Sequence, residues 1–97
     1  MNIEDYVLGP DGSIVLIGTD ERYGSVLVER YSSNGILDDK FGTLGRLKIP
    51  NSDSEDQNYG FSGFIQGKKL FVYGAFGSIP IERYPSSHRI FLARIKY

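Results

Sequence analysis

The hexapeptide Ser13–Gly18, SIVLIG, returns as Lys69–Gly74, KLFVYG, an apolar run closed by glycine in each case. A second pair follows in the same order: Val26–Tyr31, VLVERY, and Ile90–Ile95, IFLARI, which carry Arg30 and Arg94 in the same place. The offset is about 60 residues once loop insertions are allowed, and periods of this size belong to propellers and related arrays. Such a chain is built from two like units. Between the matched runs, Glu21-Arg22-Tyr23 and Glu82-Arg83-Tyr84 occupy equivalent loops, the second with extra residues on both sides.

The units are predicted to be sheets. Apolar runs are short, rich in Val, Ile, Phe and Tyr, and separated by Gly, Pro, Asn and Asp, and no stretch holds a helical period. Strands are predicted over residues 5–8, 13–19, 25–31, 45–49, 61–65, 69–76 and 89–96. Gly9-Pro10-Asp11-Gly12 predicts a tight turn joining the first two as a hairpin, because proline presets φ and glycine tolerates a positive φ. Asn34-Gly35 closes the third strand, and the glycine-punctuated segment after it has room for one helical turn around residues 37–41.

The first unit resembles the delta-60 repeat, a bacterial β-propeller repeat family. The matching residues are Pro10-Asp11-Gly12-Ser13-Ile14-Val15-Leu16-Ile17-Gly18, then Val28-Glu29-Arg30-Tyr31, Asn34-Gly35-Ile36-Leu37-Asp38, and Phe41-Gly42 with Gly45. In the second unit Gly74 and Ile90–Arg94 keep the pattern, but Gly67-Lys68 replaces the Asp-Gly turn and no Leu-Asp or Phe-Gly follows. The resemblance implies an all-β domain of two propeller-like antiparallel blades, about seven strands in all, the second blade lacking its outer strand. The first blade-like repeat is expected within residues 1–50 and the second, truncated one within 59–97, in a single β domain spanning 1–97. Two blades leave faces and strand edges without neighbours, so the chain is expected to self-associate or to belong to a larger propeller. Three copies would close a ring of about six blades.

Composition narrows the partners. A net charge of -1 gives no basic surplus for phosphates, so nucleic acid is not an expected partner. No apolar run approaches the roughly 20 residues of a spanning helix, the start Met-Asn-Ile-Glu-Asp is not a signal peptide, and no membrane association is expected. Cysteine is absent, which removes disulfides, thiolate metal sites and cysteine nucleophiles. Localisation is not fixed by these features.

Strand alternation places Arg30 with Val26 and Val28, and Arg94 with Ile90 and Leu92. An inward guanidinium needs a carboxylate, and Asp38 is the expected structural partner of Arg30. Arg94 has no downstream aspartate in its own unit, so its partner is expected from another copy. A guanidinium beside an aromatic ring suits a carboxylate, a phosphate or a sugar face, which makes Glu21, Arg22, Tyr23, Glu82, Arg83 and Tyr84 the candidate ligand-binding residues, for a glycan or an anionic ligand. The polar run Asn51–Asn58 lacks the spacing and glycine of a calcium loop and reads as a solvated connection between units. His88, the sole histidine, is expected in a loop without a triad, and the adjacent Asp38 and Asp39 would diverge in extended chain. No catalytic residue, metal site or cofactor is expected. Phe61, Phe64, Phe71, Tyr73, Phe76 and Phe91 are read as core or inter-blade packing, and Tyr6, Tyr23, Tyr59 and Tyr84 as lying nearer to turns.

Overall fold

In the computed structural model, which describes residues 2–20, 25–49, 57–77 and 88–97, seven antiparallel strands form two sheets and no helix occurs among these residues. The first sheet holds β1 (Asn2–Leu8), β2 (Ile14–Thr19), β3 (Val26–Tyr31) and β4 (Arg46–Ile49) in the order β1-β2-β3-β4. The second holds β5 (Gln57–Gln66), β6 (Lys69–Gly77) and β7 (His88–Lys96) in the order β5-β6-β7. Among the described residues the second sheet has no counterpart of β4. β5 starts earlier than expected, taking in Gln57 and Asn58 from the polar run, while residues 51–56 lie outside the described residues. His88 begins β7 opposite Gly77 rather than sitting in a loop, and Tyr6 and Tyr59 lie within β1 and β5.

The turns follow from backbone chemistry. Gly12 donates its N–H to the Gly9 carbonyl at 3.1 Å with a φ of 84°, and Gly9 bonds Ser13 at 2.8 Å, closing the β1–β2 hairpin. Gln66 pairs with Lys69, and Gly67 at φ 60° supplies the positive φ that a two-residue turn of type II′ needs first. The expected helical turn around 37–41 is replaced by a chain of tight turns. Tyr31 bridges Leu37, Phe41 N–H reaches the Asp38 carbonyl at 3.1 Å, and Thr43 and Arg46 exchange both backbone bonds around Leu44-Gly45. That segment must fold back along β3 to deliver β4, which a helical turn would not do. Leu44 at φ 55° and Gly45 at φ 90° give the double positive φ of a type I′ turn, with leucine where asparagine is ordinarily favoured.

Cross-strand register fixes which side chains share a face. On one face of the first sheet lie Val7 with Val15 and Arg30, Asp5 with Ile17, Val28 and Leu47, and Thr19 with Val26 and Ile49. This face meets Ile65, Leu70, Val72, Ile95 and Tyr97 of the second sheet, with Val15, Ile17, Val28, Leu70 and Val72 wholly buried. Gly63 is where the sheets come closest: a Cβ there would stand 2.7 Å from Ile17 Cδ1 and 2.8 Å from the Phe71 carbonyl oxygen. Only glycine fits that approach.

The sheets also share an irregularity. β1 shifts register between Ile3 and Asp5, and β5 shifts between Tyr59 and Ser62, in each case beside the glycine, Gly18 or Gly74, that closes the repeated hexapeptide. With Ile14 matched to Leu70 and Leu16 to Val72, the observed pairings match Asp5 to Ser62, Tyr6 to Gly63, Val7 to Phe64 and Leu8 to Ile65. The likeness of the two units thus extends to a strand where the sequences hardly agree.

Candidate functional site

Arg30 lies near the end of β3 on the buried face, its side chain 16% exposed, where the two sheets meet. Nη2 stands 3.3 Å from Asp11 Oδ2 and Nε 3.4 Å from Asp38 Oδ2; Nη1 donates to the Tyr97 carbonyl at 2.9 Å. The guanidinium carbon sits 4.1 Å from the centre of the Tyr97 ring, within cation–π range. The Arg30–Asp38 approach is an ion pair without hydrogen-bond alignment, since buried Nε has no hydrogen-bond acceptor. Arg30 therefore binds three separate segments: the β1–β2 turn, the turn after β3, and the end of the second sheet.

Asp11 gathers donors from the same corner. Its Oδ1 accepts from Ser13 Oγ at 2.6 Å, from Ser13 N–H at 3.2 Å and from the Tyr97 hydroxyl at 3.0 Å, while the Ser13 and Tyr97 hydroxyls also touch. These hydrogen bonds, those from Ser13 foremost, hold its carboxyl down at about 2. Burial raises the Tyr97 phenol, reinforced by its hydrogen bond to Asp11. A carboxylate this acidic is a weak proton acceptor at neutral pH, so the cluster suits clamping rather than general-base chemistry. A side chain at Gly9 would collide with the Tyr97 hydroxyl, so the hairpin closes tightly over the cluster.

Arg94, placed inward by analogy with Arg30, is instead exposed on β7. It does share its face with Leu92, but that face of the second sheet is turned away from the first, and no carboxylate pairs with Arg94 among the described residues. The aromatic residues of the same face are likewise outside the core: Phe64 is 46% exposed and Tyr73 41%, with Leu92 at 65%. Phe64 stacks on Phe71 at 5.0 Å between centroids, and Tyr73 lies tilted at 6.2 Å from Phe64. The opposite outer face carries Tyr6, Leu8, Ile14, Leu16 and Leu27, with Tyr6 and Leu8 largely exposed. At its β4 end Glu29 pairs with Arg46.

A shallow cleft of about 830 Å³ runs between β1 and β5, lined by Tyr6, Leu8, Pro10 and Phe64 among others. No group of three or more acidic or histidine side chains that could hold a metal ion occurs among the described residues. Glu21, Arg22, Tyr23, Glu82, Arg83 and Tyr84 all lie outside the described residues, as do the side chains of Phe61, Phe76 and Phe91. Asp39 is exposed in a turn, while Asp38 also accepts the Lys40 N–H at 3.1 Å. The sequence reading missed Tyr97, Asp11 and Ser13. The available signal was the Pro-Asp-Gly turn, whose aspartate precedes Ser13 by two residues and is poised to bond its backbone. Comparison with known proteins finds no matching family model, no matching curated protein and no matching solved structure.

Proposed function

We propose that this chain is a non-catalytic repeat unit of a β-propeller scaffold, similar to the delta-60 repeats, that acts by self-association. The observation that carries the reading is the pairing of an apolar interface inside the chain with apolar side chains exposed on both outer faces of the described sheets. Tyr6 and Leu8 stand out on one side, and Phe64, Tyr73 and Leu92 on the other. Contiguous exposed apolar surface on both sides of a two-layer structure marks interaction surface. The radius of gyration, 14.3 Å, exceeds the roughly 12.5 Å of a compact domain this long. Among the described residues nothing covers Tyr6, Leu8, Phe64, Tyr73 or Leu92, which stay exposed on the outer layers. The polar cluster at Arg30 supports the same reading, because its strongest groups are spent on one another.

Binding of a glycan or an anionic ligand through the Glu-Arg-Tyr loops is the ligand-based alternative and rests on the sequence alone. Solution mass by light scattering coupled to size exclusion, over a range of concentrations, tests the proposal. A fixed multiple of the 10.9 kDa chain mass is expected. A monomer at every concentration overturns it.

A further inference from the structure

The two sheets do not meet through like faces. In the repeat register Val15 corresponds to Phe71, Ile17 to Tyr73, Val28 to Leu92 and Arg30 to Arg94. The first member of each pair lies on the face of the first sheet that is packed inside the chain, and the second on the face of the second sheet that is open. Conversely, Leu70 and Val72, which are buried in the interface, correspond to Ile14 and Leu16 on the open face of the first sheet. Both strand pairs give the same answer. Two like units joined by a two-fold axis would bury the same face twice; these bury opposite faces, as successive members of a stack do.

A stack of two has one unused copy of each face. We infer that the open face of the second sheet binds the open face of the first sheet of another copy, head to tail, reproducing the internal interface between chains. This rests on the self-association proposed above and adds its polarity and its residues. The occupant is a second copy because the two open faces are the repeat equivalents of two surfaces already packed together in each molecule. The sequence matches them and the shared bulges place them alike on their strands.

The internal contact predicts which residues meet. Gly63 faces Ile17 and Val7, the side chains nearest to its missing Cβ. The equivalent of Gly63 is Tyr6, and the equivalents of Ile17 and Val7 are Tyr73 and Phe64, so Tyr6 of one copy meets Tyr73 and Phe64 of the next. Rings stand where the internal interface has glycine and isoleucine, so the contact between copies is spaced by aromatic groups rather than by close backbone approach. Arg94 takes the place of Arg30, and Ser33 that of Tyr97, which puts the turn after β3 of the next copy, with its backbone carbonyls, within reach of the Arg94 guanidinium.

One such contact is modest. Three strands about 4.8 Å apart and six residues at about 3.3 Å each give a face of roughly 300 Å² in projection, small beside stable interfaces. A head-to-tail contact that closes gives each copy two of them at once, and closure makes the assembly cooperative.

The absence of cysteine supplies the test. Tyr6→Cys and Tyr73→Cys replace exposed side chains, one on each open face. Treated with a short thiol cross-linker, neither variant alone is expected to give a dimer, an equimolar mixture is expected to give one, and the double variant a ladder of higher multimers. Cross-linking of either single variant to itself, as efficiently as in the mixture, overturns the head-to-tail arrangement. Leu8→Glu and Leu92→Glu provide a second readout by solution mass, with circular dichroism confirming folding. Each alone is expected to fall to monomer, because every contact between copies uses one Leu8 face and one Leu92 face. An oligomer that withstands either change has other contacts, and the arrangement fails while self-association stands. A monomeric wild type removes both.

Discussion

Replacing Gly63 by alanine tests the contact between the sheets directly. The added methyl would sit 2.7 Å from Ile17 Cδ1 and 2.8 Å from the Phe71 carbonyl oxygen. The first can swing; the second belongs to a backbone held in the β5–β6 ladder, so part of the clash must be taken up by separating the sheets. Overpacking of this kind costs about 1–3 kcal/mol, and the immovable carbonyl places this case in the upper half. Against it, alanine loses less backbone freedom than glycine on folding, which returns about 0.5–1 kcal/mol. The net expectation is a loss of about 1.5 kcal/mol, or a fall in Tm of about 6–12 °C for a chain of this length. Thermal and urea melts followed by circular dichroism, at one fixed protein concentration because assembly couples to stability, measure it. Ile17→Val removes the facing Cδ1 and by itself costs about 1 kcal/mol. Added to Gly63→Ala, it should cost less than the sum of the two single changes, because the methyl then has somewhere to go. A Gly63→Ala protein as stable as wild type, or strict additivity in the double variant, would refute the close approach of β2 to β5.

Leu44→Asn should stabilise the chain by about 0.5–1 kcal/mol, since leucine there bears a left-handed φ that asparagine tolerates better; a melt showing no gain would argue against the type I′ turn. Arg30→Met keeps the aliphatic bulk but leaves Asp38 and Asp11 without their cation and the Tyr97 ring without its partner, and should lower stability by about 2 kcal/mol in urea titration. Asp11, with its folded pKa held at about 2, contributes stability that is fully present above the ordinary aspartate range near 4 and is lost as pH falls toward 2. Asp11→Asn should therefore flatten the acid limb of a stability–pH profile between those limits. Tyr97, raised by burial, works at the other end: the folded state holds its proton after the unfolded chain has released it, so stability should decline as pH rises past 10, and Tyr97→Phe should remove that decline.

The seven strands were legible because most of their ends meet residues that force a turn, and turn chemistry is local, although β1 and β5 begin earlier than expected, at Asn2 and Gln57. The equivalence of the two units was legible because it is written in consecutive residues. What each face packs against was not. Val15 and Phe71 look alike to any reading of alternation, yet one is buried and the other open, because position in a stack, first or second, decides which face finds a neighbour. Arg94 was misplaced for the same reason: it copies Arg30 in register but not in surroundings. Asp38 was found because a buried guanidinium demands a carboxylate and the turn supplied one nearby. Tyr97 was not, since its partners Asp11, Ser13 and Arg30 are distant in sequence and only the docking of the sheets unites them. Gly63 reads as an ordinary strand glycine until Ile17 is seen against it.

Each sheet is a meander in which every strand pairs with its neighbours in sequence. Those pairings close connections local in sequence, so each sheet can assemble from local contacts, while the contacts between sheets join residues much farther apart in the chain, such as Ile17 with Gly63 and Arg30 with Tyr97. Hairpin formation belongs early in folding and docking of the layers late. A change confined to the docked surface, as at Gly63, should then act on the escape rate from the native state and leave the refolding rate nearly untouched. In a chevron plot the unfolding arm would rise while the folding arm held, so the lifetime of the folded chain is governed by how well two meanders stay pressed together.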